Sequence, residues 1–230
     1  MTTFVFEPTA LNALSILGTK RLFPVNQIYC VGRNYADHAK EMGHEIEAPF
    51  FFMKPAYSLM PEGGSFTYPP LSEDVQHEVE LVVALGAGGS NLSLTEAKTL
   101  IYGYGVGIDL TRRDLQSEAK AKSRPWDAGK SFLHAAPCSK ILPRNDDIEF
   151  AEIKLTINGE VKQLGNVNQM IWRVPQIISQ LSTFFPLYPG DIIFTGTPSG
   201  VGKINPGDDV VASIEGIGEL KLKVIGNNQC

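Results

Sequence analysis

The sequence predicts an α+β protein in which β-structure dominates. Predicted strands outnumber predicted helices, every predicted helix is short, and the chain is rich in turn residues. Its 230 residues include 22 glycines and 15 prolines, a share above the usual one of about 12 %. Such a chain turns often, which favours strands joined by tight loops over a helical bundle.

Strands are expected where apolar, aromatic and β-branched residues run between Gly, Pro, Asn or Asp. The predicted strands are 3–7, 27–32, 49–53, 75–85, 102–110, 152–157, 161–164, 191–195 and 209–225. The run at 75–85 is the clearest of them. Asn158 and Gly159 predict a hairpin turn between two strands, because both residues readily take the positive φ angles of a type I′ turn.

Four helices are predicted, at 37–42, 94–101, 111–122 and 168–181. Ser93 and Glu96 have the spacing of a capping box at the start of the second helix. Thr111 is expected to be the N-cap of the third helix, with Asp114 in its first turn. Because no repeat or low-complexity linker is present, we expect a short extension at 1–24 and one domain at 25–230.

Composition excludes several classes of protein. With 20 Lys and Arg against 25 Asp and Glu, the net charge is −5, which argues against a nucleic-acid-binding protein. No apolar run approaches the ~18 residues that span a bilayer, and the N-terminal segment lacks the basic start of a secretory signal. The cysteines, Cys30, Cys138 and Cys230, form no close pair, so no disulfide framework or thiolate zinc site is expected. We therefore expect a cytoplasmic protein that binds neither nucleic acid nor membrane.

Three acidic residues are candidates for a metal site. Glu78 and Glu80 are two residues apart in a predicted strand, so their side chains point to the same face, whereas His77 points with the apolar neighbours and is expected to be packed. Adjacent carboxylates repel each other unless a cation lies between them; a solvated sheet face is the alternative. Asp109 ends an apolar, Gly-rich segment, where a solvated carboxylate has little reason to be. An all-oxygen set suits Mg²⁺ first, then Mn²⁺ or Ca²⁺, and suits zinc poorly.

Three polar residues follow this cluster in the sequence. Arg113 and Gln116 are three residues apart on a predicted helix, so they share a face beside the proposed metal. A solvated helix face is the alternative interpretation. Lys130 lies in an apolar setting after a turn, from which its ammonium could hold an anionic substrate.

His38 and Glu41 are also three residues apart, on the short helix predicted at 37–42. A carboxylate that orients an imidazole makes a general base for water near neutral pH. His-x-x-Glu pairs are also common by chance. The polar segment 43–50 that follows could be a mobile lid or a surface loop.

Late in the chain, the segment 193–202 leaves a strand for a loop rich in amides and hydroxyls, where Thr197 and its neighbours could hold a carboxylate. It is not a phosphate-binding loop, because its glycines are one residue too far apart and Ile204 replaces the required Ser or Thr. The chain has no G-x-G-x-x-G and no G-x-S-x-G pattern. Dinucleotide binding and the usual serine hydrolase are therefore unsupported.

Six motifs, in order along the chain, resemble those of the fumarylacetoacetate hydrolase family: V-G-R-N-Y-A-D-H-A-K-E, F-F-F-M-K-P, H-E-V-E-L, G-I-D-L-T-R-R-D-L-Q, K-S-F and G-D-I-I-F-T-G-T-P-S-G-V-G. The similarity extends from about Val25 to Val224. It implies a mixed β-sandwich roll, usually a homodimer, with a divalent metal, normally Mg²⁺, held by Glu78, Glu80 and Asp109. The short N-terminal extension is similar to that of the bacterial acylpyruvate-hydrolase branch. The opening residues and the F-F-F-M-K-P run are most similar to fumarylpyruvate hydrolases of gentisate breakdown.

The resemblance also implies roles for the remaining candidates. The catalytic residues would be His38, Glu41 and Lys130, and the substrate-binding residues Arg113, Gln116 and Thr197. The family's substrates are 2,4-dioxo acids, whose carboxylate and 2-oxo oxygens would chelate the metal. We expect His38 to deprotonate a water that attacks C4, and the metal and Lys130 to stabilise the pyruvate enolate released by C3–C4 cleavage.

Alternative activities remain open at this point. Oxaloacetate decarboxylation, or isomerisation of a hydroxymuconate-type diacid, would use the same metal site without an attacking water. A metal-dependent binding protein without catalysis is more distant, and the intact His38, Glu41 and Lys130 argue against it.

The acyl group of the substrate is open as well. Arg33, Arg124 or Arg173 could meet a second carboxylate, such as that of a fumaryl group, or each could be a surface or structural ion-pair residue. Without a metal, three acidic ligands outweigh Arg113 and Lys130, so we expect a metal-free pocket to repel an acidic substrate.

Overall fold

The computed structural model describes residues 4–7, 11–35 and 48–227. Strands far outnumber helices in these segments, which confirms the prediction of a β-dominated α+β fold. The predicted helix at 37–42, with His38 and Glu41, lies outside the described residues, as does most of the segment 43–50. Cys230 also lies outside them, whereas Cys30 and Cys138 are both buried and free.

The strands are β1 Ala13–Ser15, β2 Leu22–Pro24, β3 Ile28–Gly32, β4 Phe50–Lys54, β5 Leu59–Pro61, β6 Ser65–Thr67, β7 Val75–His77, β8 Val79–Leu85, β9 Ile101–Ile108, β10 Thr111–Arg112, β11 Ala136–Cys138, β12 Leu142–Pro143, β13 Glu152–Ile157, β14 Glu160–Asn166, β15 Ile192–Phe194, β16 Gly202–Lys203, β17 Asp209–Ile214 and β18 Gly218–Ile225. The α-helices are α1 Leu94–Thr99, α2 Arg113–Ala121, α3 Asp127–Lys130 and α4 Val174–Phe184. Two 3₁₀ turns are Ala56–Ser58 and Val167–Gln169. Among the helices of the described residues, none is long and apolar enough to cross a membrane.

An eight-stranded sheet lies at the centre of the fold. Its strand order is β4-β3-β15-β8-β9-β11-β5, with β12 also paired to β9. The sheet is mixed, because β15 is parallel to β3 but antiparallel to β8. A five-stranded sheet, β14-β13-β17-β18-β6, shares an apolar core with one of its faces. Two small sheets, β10-β7-β16 and β1-β2, complete the molecule.

The central strand β8 is buried along its whole length because both faces of the sheet are covered. Leu81 and Val83 belong to the core shared with the five-stranded sheet. Val82 and Ala84 belong to a second core, which is closed by side chains from the first two strands, among them Leu14. Part of the predicted N-terminal extension therefore packs as an integral layer of the fold.

Several predicted elements are confirmed by local geometry. Asn158 and Gly159 both have positive φ, 52° and 83°, as the hairpin between β13 and β14 requires. Ser93 and Glu96 form the capping box that begins α1. The predicted segment 209–225 is a hairpin of two strands, β17 and β18.

Other predictions were wrong at element boundaries. Residues 4–7 form no strand. The run 75–85 is two strands interrupted at Glu78, because β7 pairs with β10 and β16 while β8 pairs with β15 and β9. Thr111 is not a helix cap: it lies in β10, and α2 begins after it. The last helix begins at Val174, not at 168, because Pro175 fits only the first turn of a helix.

Candidate active site

Three carboxylates converge where β8 meets β9. Ligand oxygens of Glu78, Glu80 and Asp109 lie within 4.8 Å of one another. Glu80 is paired in register with Gly107 of β9, and the Asp109 N–H donates to the Glu78 carbonyl at 2.8 Å. The three residues are only 6 %, 2 % and 1 % exposed, in chain order. The alternative of a solvated sheet face is therefore wrong.

Lys130 lies among these carboxylates. Its ammonium is 2.8 Å from Glu78 Oε2 and 2.7 Å from Asp109 Oδ2, and it donates to the Thr111 hydroxyl at 2.7 Å. Burial alone would lower the pKa of Lys130, but the charges of Asp109 and Glu78 outweigh burial, and the pKa is raised. Lys130 is therefore a charged, fixed donor at the wall of the cluster.

Arg113 and Gln116 lie beside the same cluster on α2. The Arg113 guanidinium forms an ion pair with Glu78 and donates to Gln116 Oε1 at 2.6 Å and to Gln76 Oε1 at 2.8 Å. Gln116 is 2 % exposed. The solvated-face interpretation of this helix is thus wrong for both side chains, which hold each other in place.

Sequence reasoning missed a second buried ammonium, that of Lys54 at the end of β4. It is fully buried and lies 2.8 Å from Asp109 Oδ1. It also donates to the backbone carbonyls of Leu110, at 3.1 Å, and Lys130, at 2.5 Å. The sequence feature that could have revealed Lys54 is the motif F-F-F-M-K-P, in which a lysine ends an aromatic strand at a buried position.

The three carboxylates fit a divalent cation. Burial, followed by the charges of Asp109 and Glu78, raises the pKa of Glu80 well above its usual value, although the Gly196 N–H donates to its Oε2 at 2.6 Å. Asp109 Oδ1 is buried and accepts no hydrogen bond from the described residues, despite the nearby Lys54 ammonium. Buried negative charge with open lone pairs on oxygen alone is the donor chemistry of a hard divalent metal. Glu78, Glu80 and Asp109 are therefore residues that could hold a divalent metal.

His77 and Thr197 belong to a hydrogen-bond network next to the carboxylate cluster. The His77 Nδ1–H donates to Gln163 Oε1 at 2.8 Å, and Gln163 Nε2 donates to the Thr197 hydroxyl at 2.8 Å and to the Pro198 carbonyl at 2.9 Å. His77 is 1 % exposed, which confirms the expected packed histidine, and burial lowers its pKa. The carboxylate-binding role of Thr197 stays a prediction.

A cavity opens onto the carboxylate cluster. It is lined by Gly32, Arg33, Phe50, Phe52, Glu78, Asp109, Arg113, Gln116, Lys120, Trp126 and Lys130. Of the three arginines considered for a second carboxylate, Arg33 alone is in this lining. Arg124 is exposed outside it, and Arg173 lines a separate cavity of about 430 Å³ beside the start of α4.

Comparison with known proteins identifies the family. Residues 27–225 match the family described as fumarylacetoacetate (FAA) hydrolase C-terminal. The chain belongs to the fumarylacetoacetate hydrolase family. It is 44 % identical over 180 residues to fumarylpyruvate hydrolase of Ralstonia sp., covering 78 % of this chain and 94 % of the relative. It is also 44 % identical over 195 residues to a mitochondrial oxaloacetate decarboxylase of Dictyostelium discoideum, covering 83 % and 89 %.

A solved structure supports the same assignment. The crystal structure of fumarylpyruvate hydrolase from Pseudomonas aeruginosa, in complex with Mn²⁺ and pyruvate, is similar with a TM-score of 0.95 and 42 % sequence identity. The similarity covers 98 % of this chain and 100 % of that one. The fold expected from the resemblance, a mixed β-sandwich roll, is confirmed. This member of the fumarylacetoacetate hydrolase family is an enzyme, a hydrolase acting on carbon–carbon bonds.

Proposed function

We propose that this protein hydrolyses 2,4-dioxo acids and that its substrate is fumarylpyruvate, cleaved to fumarate and pyruvate. The observation that carries the proposal is the Lys130 ammonium, fixed between Glu78 and Asp109 at the wall of the cavity. A fixed cation beside a metal site suits the negative charge that develops when a C–C bond next to a carbonyl breaks. The two fumarylpyruvate hydrolase relatives support the choice of substrate.

The metal in this proposal is Mg²⁺, with Mn²⁺ as the alternative, held by Glu78, Glu80 and Asp109. Bound there, a divalent cation would supply positive charge to the carboxylate and 2-oxo oxygens of the substrate.

Arg113 and Gln116 would orient the substrate. Their mutual hydrogen bond and the ion pair from Arg113 to Glu78 restrict both side chains before any substrate arrives. Donors that are already in place cost little ordering on binding. Thr197 and the amides of its loop are proposed to hold a carboxylate of the substrate.

The bond changes in the proposed reaction require one base and one water. His38, oriented by Glu41, takes a proton from the water, whose oxygen adds to the C4 carbonyl. The C3–C4 bond then breaks, and its electron pair remains with the pyruvate half as an enolate whose oxygen Lys130 stabilises. A proton delivered to C3 completes pyruvate, and the acyl half leaves as fumarate.

A substrate panel tests this proposal. The purified protein with Mg²⁺ is given fumarylpyruvate, maleylpyruvate, acetylpyruvate and oxaloacetate; loss of the near-ultraviolet enol band and release of pyruvate are measured. We expect pyruvate from the 2,4-dioxo acids, and a loss of kcat of about 100-fold or more in Lys130→Met. The exposed Lys140→Met is the matched control and should leave kcat unchanged. No pyruvate from any 2,4-dioxo acid would overturn the proposal.

Oxaloacetate decarboxylation is a second candidate, because a decarboxylase of this family is 44 % identical to this chain. Decarboxylation and isomerisation of a hydroxymuconate-type diacid need no attacking water. In His38→Ala we therefore expect hydrolysis to be lost and any decarboxylation of oxaloacetate to survive. Faster turnover of oxaloacetate than of every acylpyruvate would favour the second candidate.

We also propose that the protein is a homodimer. Among the residues that the structure describes, strand β4 is at the edge of the central sheet, and the exposed apolar side chains of Met53 and Tyr57 lie on or just after it. A sheet edge with exposed apolar neighbours is a common site of self-association. Sedimentation equilibrium should give twice the chain mass; a monomer at all concentrations contradicts this proposal.

The buried, free Cys30 and Cys138 support a reducing compartment, and we propose the cytoplasm.

A further inference from the structure

One end of the active-site cavity is built from two cations and two aromatic rings. The Arg33 guanidinium lies 5.4 Å from the centroid of the Phe50 ring. Phe50 meets Trp126 edge to face, with centroids 5.6 Å apart and an interplanar angle of 82°. The Lys120 ammonium lies 5.0 Å from the centroid of Trp126. Cation–π contacts of this kind restrict a long cationic side chain, so both charges are held at the cavity wall.

The backbone is shaped to form this end of the cavity. A Cβ at Gly32 would overlap the ring of Phe50, so glycine is required for that ring to pack there. Arg33 has a φ of 56°, a left-handed conformation that is uncommon outside glycine and is concentrated at functional sites. Lys120 is four residues after Gln116 on α2, so it lies on the same helix face, one turn farther along.

The electrostatic surroundings of Lys120 differ from those of Lys130. Within the described part of the chain, Lys130 has two carboxylate partners, whereas no carboxylate forms an ion pair with Lys120. Burial lowers the pKa of Lys120, and the positive charges of Arg113, Arg33 and Lys130 lower it further, although the charge of Glu78 raises it in part. A carboxylate placed beside the Lys120 ammonium would favour its charged form.

We propose that Lys120 and Arg33 bind a second carboxylate, at the far end of the acyl group, and so select acylpyruvates that are dicarboxylates. The inference rests on the proposed function, which places the pyruvate end of the substrate at the metal site. Phe50 and Trp126 offer apolar surface to the carbon chain between the two carboxylates.

The first test compares two substrates on the same preparation of each variant. The quantity measured is the ratio of kcat/KM for fumarylpyruvate to kcat/KM for acetylpyruvate, which lacks the distal carboxylate. If a variant contains less folded protein, both kcat/KM values fall by the same factor, so the ratio does not change. Lys120→Met and Arg33→Gln should each lower it about tenfold to 100-fold, the usual effect of losing a charge-assisted hydrogen bond. Lys120→Arg should recover most of it, and Lys122→Met, which removes an exposed charge from the same region, should leave it unchanged.

The second test measures binding without turnover. With Mg²⁺ present, calorimetry compares 2-oxoheptanedioate with 2-oxoheptanoate, which differ only in the terminal carboxylate. The wild-type protein should bind the diacid more tightly, and Lys120→Met should remove that preference. Equal affinity for the two acids in the wild-type protein, or an undiminished preference for the diacid in both Lys120→Met and Arg33→Gln, would overturn the inference even if fumarylpyruvate is hydrolysed. If no acylpyruvate is hydrolysed but the preference depends on Lys120, the proposed function fails and the carboxylate site stands.

Discussion

Replacing the buried Lys54 by Met should destabilise the metal-free protein, and a divalent metal should recover part of the loss. Lys54 lies 2.8 Å from Asp109 Oδ1 and donates to two backbone carbonyls. Methionine keeps most of the length of the apolar stem and adapts to irregular spaces. The substitution therefore removes a charge and its donors while changing the packing little.

The size of the effect follows from what remains unpaired. Removing one partner of a buried ion pair costs about 3–5 kcal/mol, because the other charge stays buried. Asp109 still has the Lys130 ammonium 2.7 Å from its second oxygen, which limits the loss of stability. The carbonyls of Leu110 and Lys130 lose a hydrogen-bond donor, which increases the loss. We expect a decrease of about 4 kcal/mol in the free energy of unfolding, or roughly 8–16 °C in Tm for a chain of this size.

The assay is urea unfolding of the wild-type protein and Lys54→Met in EDTA, followed by circular dichroism. Lys221→Met is the control, since Lys221 is exposed and paired with Glu219, and it should change the free energy of unfolding by less than about 1 kcal/mol. The series is then repeated in Mg²⁺. Because Lys54 no longer competes for Asp109, Mg²⁺ should stabilise Lys54→Met more than the wild-type protein.

Two results would refute this reasoning. A loss in EDTA no larger than that of Lys221→Met would show that the Lys54–Asp109 pair contributes nothing to stability. Equal stabilisation of both proteins by Mg²⁺ would show that Lys54 and the metal do not act on the same carboxylate.

Two further predictions concern the same cluster. The pKa of Glu80 is raised above its ordinary 4.5, so the folded metal-free protein keeps a proton that the unfolded chain releases. The free energy of unfolding in EDTA should therefore fall as pH rises from about 5 through the raised pKa. Glu80→Gln should flatten that slope in urea titrations, and a slope of opposite sign would contradict the assignment. Gly196→Ala should lower the free energy of unfolding by about 1–3 kcal/mol more than Gly207→Ala. The two glycines have nearly the same φ, 97° and 99°. Of these two positions, only Gly196 would bring an added Cβ against a neighbour, the Asn34 Cβ at 2.7 Å. Equal urea midpoints for these two variants would exclude that clash.

Local patterns in the sequence predicted the features that depend on neighbouring residues. The Asn158-Gly159 turn and the capping box at Ser93 depend on two to four adjacent residues, so the sequence alone defines them. The convergence of three carboxylates followed from strand alternation together with one acidic residue where solvation was implausible. Most element types and the clustering of the three carboxylates could therefore be predicted from local sequence patterns.

Features that depend on tertiary pairing could not be predicted in this way. The interruption at Glu78 arises because the two halves of the predicted strand pair with strands that are distant in sequence. Thr111 has the local pattern of a helix cap, but its hydroxyl accepts from Lys130, and the residue joins a strand instead. Lys54 was missed because its partners, Asp109 and the Lys130 carbonyl, lie far along the chain.

Lys54 also changes the expected charge of the metal-free pocket. The sequence set only Arg113 and Lys130 against three carboxylates, which predicted repulsion of an acidic substrate. Lys54 adds a third cation in contact with Asp109, so the three cations at least balance the carboxylates without metal, and a bound divalent cation makes the cluster more positive. Lys120 and Arg33 add positive charge at the other end of the cavity, on a protein whose net charge is −5. Removing the metal should therefore weaken the hold on the 2-oxo acid end of a ligand, while the preference for a distal carboxylate, which depends on Lys120, should persist in EDTA.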